Sequence, residues 1–208
     1  MPDGLKMPAA PGHSVLLLHG WQNHRPAGHW QHALADDLTA AGVDVAYPAL
    51  PDPDEPDRAV WSARVTAEFD ALAGSWRTVV AHSLAVWVVL DLLARGGLGD
   101  ADRVLLVAPV ARAVLAANPP IAGFDPLLDD EALAAAVATT DVHVVASDDD
   151  PYWPGGAADW AEGLGATVHP LTGQGRLALG DGYGRWDSVR QWLTGTGVGT
   201  GAVRIEPR

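Results

Sequence analysis

The stretch Val79-Val80-Ala81-His82-Ser83-Leu84-Ala85 decides how this chain is read. A short apolar run ends at a serine, and the residues after it, Leu84 to Leu93, are almost wholly apolar. That pattern predicts a strand running straight into a buried helix, with Ser83 in the single turn between them. Such a turn lifts a serine Oγ above the end of a sheet and aims the amide dipoles of the next helix at it. Ala81 and Ala85 stand two residues either side, where glycine is the commoner choice. Alanine is still small enough for close strand–helix contact. The plain alternative is a serine that only caps the helix.

Working outward, strand and helix patterns alternate about six times. Strands are predicted at Val15–Leu18, Val43–Tyr47, Thr78–Ala81, Val104–Val107, Val142–Ala146 and from Thr167 to His169 or Leu171. Helical spacing appears from Trp30 to Ala41, from a cap at Asp57 to Leu72, and over Leu84–Leu93, Glu131–Ala138, Ala157–Leu164 and Trp186–Leu193. The fold class is α/β, a doubly wound parallel sheet of about six strands with helices on both faces. Ligands of such sheets bind at the carboxyl ends of the strands, so chemistry is expected in the loops that follow them. Residues 109–128 are irregular, broken by Asn118-Pro119-Pro120 and Asp125-Pro126, and read either as a short lid or as a crossover loop. The organisation is a flexible N-terminus (1–12), one domain (13–194) and a Gly/Thr-rich tail (195–208) read as frayed rather than as an edge strand.

Composition removes several functions. Of 208 residues, 26 are acidic and 13 basic, a formal charge of −13, with no basic patch. A nucleic-acid backbone would be repelled. No cysteine is present, which removes thiol nucleophiles and thiolate metal sites. The apolar run Val15–Leu18 is too short to span a membrane, and a cytoplasmic location is the default expectation. Histidines 24, 29 and 32 with Asp36 and Asp37 match no zinc spacing. No Gly-x-Gly-x-x-Gly follows the first strand, so the dinucleotide fingerprint is missing. Neither metal nor cofactor is expected.

The loops supply candidate groups. His19-Gly20 follows the first strand, and the amide of Trp21 or Gln22 could join that of Leu84 as an oxyanion hole beside Ser83. Asp148, Asp149 and Asp150 follow the fifth strand, where an acid could orient a base; the bland reading is an acidic turn before Pro151. A base should follow the sixth strand. Residues 172–184 hold no histidine and offer only Arg176, Asp181 and Tyr183. Arginine, with a pKa above about 12, is no ordinary base near neutrality. Trp21, Trp30 and Trp153 fall in loops at this edge, so the expected partner is a small molecule, partly apolar.

Four stretches, Leu18-His19-Gly20-Trp21 with Trp30, the Pro48–Asp57 loop with Trp61, Ala81-His82-Ser83-Leu84, and Ser147 through Pro154, together with Gly175 to Trp186, carry a resemblance. In order and spacing the chain resembles the small serine-hydrolase family of retinoblastoma-binding protein 9 and the bacterial YdeN proteins. The resemblance implies a compact α/β-hydrolase fold, Ser83 as nucleophile and Asp150 as acid, with Asp149 as the neighbouring choice. It puts the family's histidine at the position of Arg176. The implied function is a serine-hydrolase-like enzyme acting on an ester, amide or related acyl substrate with an altered triad. The alternatives are a ligand-binding pseudohydrolase, or a lyase, cyclase or isomerase using the same pocket. His19, His24, His29 or His169 could replace the base. Arg176 could instead pair with Asp150 or hold a substrate carboxylate or phosphate.

Overall fold

Six strands, β1 (His13–Leu18), β2 (Asp44–Ala46), β3 (Trp76–His82), β4 (Arg103–Val107), β5 (Asp141–Ser147) and β6 (Thr167–Leu171), form one sheet. All pairings are parallel, in the order β2-β1-β3-β4-β5-β6. The computed structural model describes residues 12–195 and 204–208; the expectation for the first eleven residues lies outside that range. Seven helices are described: α1 (Trp30–Ala40), α2 (Arg58–Asp70), α3 (Ala85–Ala94), α4 (Arg112–Ala117), α5 (Asp130–Val137), α6 (Ala158–Gly163) and α7 (Asp187–Thr194). The expected α/β-hydrolase architecture is therefore present, with several element ends shifted by one or two residues.

The two-residue period of the strands builds two cores. Leu16, Leu18, Val79, Ala81, Val104 and Leu106 face one side, against Trp61, Val65 and Phe69 of α2, most of α3 and Leu133 of α5. Val15, Leu17, Val80, Leu105 and Val107 face the other, against Leu34 and Leu38 of α1 and Val189, Trp192 and Leu193 of α7. A parallel sheet covered on both faces has no solvent side, which is why its strands read as unbroken apolar runs. Asp57 caps α2 as expected: its carboxylate accepts the Val60 N–H at 2.9 Å.

Residues 109–128 are neither irregular throughout nor a cover over the Ser83 cavity. They hold α4 and a 3₁₀ turn at Pro119–Phe124. The prolines start that turn rather than break the chain, since a proline needs no amide partner in a first turn. Leu115, Ile121 and Phe124 are buried, and Phe124 meets Trp61 edge-on at 5.2 Å. This segment completes the α2/α3 side of the core.

Residues 204–208 are not frayed either. Ile205 is fully buried in the α1/α7 core, and the Glu206 carbonyl accepts from Trp186 Nε1 at 2.7 Å. The Ile205 N–H donates to His169 Nδ1 at 3.1 Å. His169 therefore carries its proton on Nε2 and donates it to His143 Nδ1 at 2.9 Å; His143 Nε2 in turn donates to Asp141 at 3.1 Å. His169 is thus spent on the far core and does not approach Ser83. Ile205→Ala should cost about 2–4 kcal/mol in urea unfolding, the usual range for a buried isoleucine. A loss under about 1 kcal/mol would mean that the segment leaves its groove in solution.

Candidate active site

Ser83 follows β3 directly and lies at φ +59°, a left-handed backbone that non-glycine residues rarely adopt. Its N–H donates to the Val107 carbonyl at 2.8 Å, tying the turn to the end of β4. α3 begins two residues later. Ala81 and Ala85 are both fully buried, so the small side chains sit where strand and helix press together.

The β1 loop passes against this turn. A Cβ on Gly20 would lie 2.7 Å from Ser83 Cβ and 2.9 Å from its Oγ, so only glycine fits. The contact falls between β1 and β3, where the strand order reverses, the usual ligand crevice of such sheets. The Trp21 and Leu84 amides have no hydrogen-bond acceptor among the described residues. The Gln22 amide does: it donates to the Pro53 carbonyl at 2.8 Å. Of the two first-loop amides considered as oxyanion donors, Trp21 is thus available and Gln22 is not.

No histidine ring hydrogen-bonds Ser83 Oγ among the described residues. His19 holds the β1 loop: its Nδ1 donates to the Gly20 carbonyl at 3.0 Å and its Nε2 accepts from the Leu50 N–H at 2.9 Å. His82 Nε2 donates to the Arg176 carbonyl at 3.1 Å. His29 caps α1 through the Gln31 N–H, and His24 pairs with Asp54 at 3.3 Å. Burial lowers His19 and His29 to about 4, and His82 well below its ordinary value. The partner of Ser83 Oγ is Arg176, whose Nη2 donates to it.

The β6 loop is built to place that guanidinium. Asp148 accepts from the Gly173 N–H at 2.9 Å, and Asp149 accepts from the Gly175 N–H at 2.7 Å. The first two of the three aspartates are therefore loop clamps. Asp181 accepts from the Arg176 and Ala178 amides, both at 3.1 Å. Gly175, at φ +59°, could not carry a Cβ, which would lie 2.5 Å from Asp181 Oδ1. Trp30 Nε1 donates to the Leu177 carbonyl at 2.9 Å. Trp30 is thus a fully buried loop support and does not line the cavity.

Asp150 is the buried member of the aspartate run. It accepts the Tyr152 N–H at 2.8 Å. Burial raises it to about 6, against the opposing pull of that N–H and of Arg176. The pair with Arg176, one of the roles open to that arginine in the sequence, does not form: the guanidinium lies instead over the Tyr152 ring, 3.3 Å from its centroid. Burial lowers the Arg176 pKa as well. Nη1 is buried without a hydrogen-bond acceptor among the described residues. Tyr152 is the contact that sequence reasoning missed, because no spacing rule connects it with residue 176.

A cavity of about 360 Å³ opens over Ser83, lined by Gly20, Trp21, Gln22, His29, Arg176 and Leu179 among others. Trp153 is not part of it; that ring packs on Trp160 at 4.7 Å. No three His, Asp or Glu side chains converge as a metal site among the described residues. No helix among them is long and apolar enough to cross a membrane.

A family model described as serine hydrolase matches residues 15–195. The chain belongs to the serine hydrolase family. No curated protein is similar enough in sequence to register as a relative. Among solved structures, this serine hydrolase is similar to the ydeN gene product of B. subtilis, at 23% identity and TM-score 0.71 over 88% of this chain and 97% of that one. A protein of Pectobacterium atrosepticum described as a YdeN-like hydrolase gives 16% identity and TM-score 0.68 over 88% and 89%. The metagenome-derived lipolytic enzymes LipS and LipT are represented at 16% identity and TM-score 0.53 over 77% and 84%. At these identities the structures show the shared fold.

Two outcomes follow from the packing. Gly20→Ala should destabilise the fold by about 1–3 kcal/mol, the usual cost of overpacking, in urea unfolding. An unchanged midpoint would mean that the β1 loop stands off Ser83. The second concerns acid. His19, His29 and His169 are held near about 4 in the fold, whereas a free histidine titrates near 6.5. Between those values the unfolded chain binds protons that the native one refuses, so stability falls as pH drops from 6.5 towards 4. Asp150, raised to about 6, works the other way, losing stability as pH rises from 3.8 to 6. Three histidines outweigh one acid, and the urea midpoint should be lower at pH 5 than at pH 7. Equal midpoints would contradict the burial of these rings.

Proposed function

We propose that this serine hydrolase acts on an ester, amide or related acyl group through Ser83, with Arg176 in the place of an imidazole base and with slow turnover. The observation that carries the reading is the Arg176 Nη2 donor on Ser83 Oγ. The strained turn, the close Gly20 backbone and the unengaged Trp21 and Leu84 amides support attack by Ser83 and an oxyanion held by two N–H groups. A guanidinium donates and does not accept, so the Oγ proton has no acceptor in Arg176. That proton passes to water or hydroxide, while the positive charge beside Oγ favours the alkoxide once it forms. Asp150 balances the buried cation from nearby rather than orienting a base. The same contact favours a second reading, in which the pocket binds its ligand without turnover.

Intact mass after treatment with a fluorophosphonate probe tests the proposal, with Ser83→Ala as control. A slow adduct that depends on Ser83 and speeds up continuously with pH is expected, because hydroxide takes the proton. Arg176→His should raise the labelling rate by about 100-fold, within the usual contribution of a general base. Asp150→Asn in that background should take most of the gain away. Rapid labelling of the unaltered chain, with a plateau near neutral pH, would overturn the assignment of Arg176. No Ser83 adduct at any pH would leave the binding reading.

A further inference from the structure

The cavity over Ser83 has an unusual charge for this protein. The chain carries 26 acidic residues against 13 basic ones, yet among the described residues no aspartate or glutamate lines this cavity. Among the described residues that line it, Arg176 is the one arginine. His29 and His82, also in the lining, are kept neutral by burial. Asp150 lies close enough to be felt by Arg176, but its contact is with the Tyr152 amide, and the guanidinium has no carboxylate ion pair among the described residues. The cation is held by a tyrosine face and by one serine oxygen. A buried cation without a full set of acceptors is costly, and an anion entering beside it relieves that cost.

We infer that the Ser83 cavity takes a small acyl compound bearing its own carboxylate, which pairs with Arg176 while the acyl oxygen meets the Trp21 and Leu84 amides. The inference rests on the reading of Ser83 as the acyl-accepting centre, and names the class of substrate. Arg176 Nη2, at Ser83 Oγ, is the donor that a carboxylate beside the serine would reach. Nη1 is closed off from solvent, so the contact is with the edge of the guanidinium and not with its whole fork. The charge must therefore lie within a few bonds of the reacting carbonyl. Trp21, Pro26 and Leu179 supply the apolar part of the lining, which suits a short hydrocarbon chain between the two ends. Half-esters of short dicarboxylic acids have this form. The His82 Nε2 bond to the Arg176 carbonyl and the Asp181 clamp fix the backbone from which the charge is presented.

The test uses monomethyl glutarate and its neutral counterpart dimethyl glutarate. Binding is measured by calorimetry to the unaltered chain and to Ser83→Ala, so that turnover cannot disguise affinity. The half-ester should bind at least about tenfold more tightly than the diester, as one charge-assisted hydrogen bond provides. Arg176→Gln should erase the difference, and Arg176→Lys should keep part of it. Equal affinities, tighter binding of the diester, no binding of either, or a preference that survives Arg176→Gln would each overturn the inference. Its failure is separable from failure of the acyl-transfer reading. A Ser83 adduct with no charge preference removes the carboxylate and leaves the nucleophile. A charge preference with no adduct leaves an anion-binding pocket and removes the nucleophile.

Discussion

Ser83 is held in a left-handed backbone, at φ +59°, between the end of β3 and the start of α3. A non-glycine residue in that region costs on the order of 1–3 kcal/mol, and persists only where its surroundings over-determine it. Here the Val107 carbonyl takes its amide, α3 fixes the chain two residues on, and the Gly20 backbone closes the remaining side. The rest of the site follows from that approach. Because no side chain fits at residue 20, the β1 loop runs against Ser83, and Trp21 lines the cavity with it. His19 and the Pro53 carbonyl then hold the loop on either side of that point.

The loop after β6 is constrained from a different direction. Side-chain oxygens of Ser147, Asp148, Asp149 and Asp181 accept backbone amides from Gly173 to Ala178, and His82 and Trp30 donate to its carbonyls. A loop tied at so many points presents a side chain with little positional freedom, and the side chain presented is a guanidinium. Placing a cation here costs desolvation, which the Tyr152 face and the nearby Asp150 offset. The loop thus brings a guanidinium donor to Ser83 Oγ.

Burial also settles what the histidines do. Around the site they cap a helix, hold a loop or brace the Arg176 backbone, and below the sheet His143 and His169 connect Asp141 to the C-terminal segment. A ring in such a place is a fixed, neutral hydrogen-bonding group, because desolvation removes its proton long before neutral pH.

The sequence alone determined the order of the six strands and of the helices other than α4, the parallel sheet, the turn at Ser83 and the family resemblance, because these rest on local patterns. Apolar runs bounded by Gly, Asp and Pro fix the buried strands, and a serine between an apolar strand and an apolar helix marks the turn that joins them. It also put Asp150 in the loop after β5 and Arg176 in the loop after β6. Tertiary structure decided which groups meet. Asp148, Asp149 and Asp150 are equivalent as a string; only packing buries the third and turns the first two towards the β6 loop. Trp30 and Trp153 sit near the active edge in sequence, yet their rings pack inward against different partners. Leu115, Ile121 and Phe124 lack a clean period, so their burial depended on the space left beside α2 and α3. The Arg176 contact with Ser83 joins residues 93 apart, and its stacking on Tyr152 depends on three loops closing together. No local pattern encodes such distances, because they are set by the spacing of the strands that carry the loops.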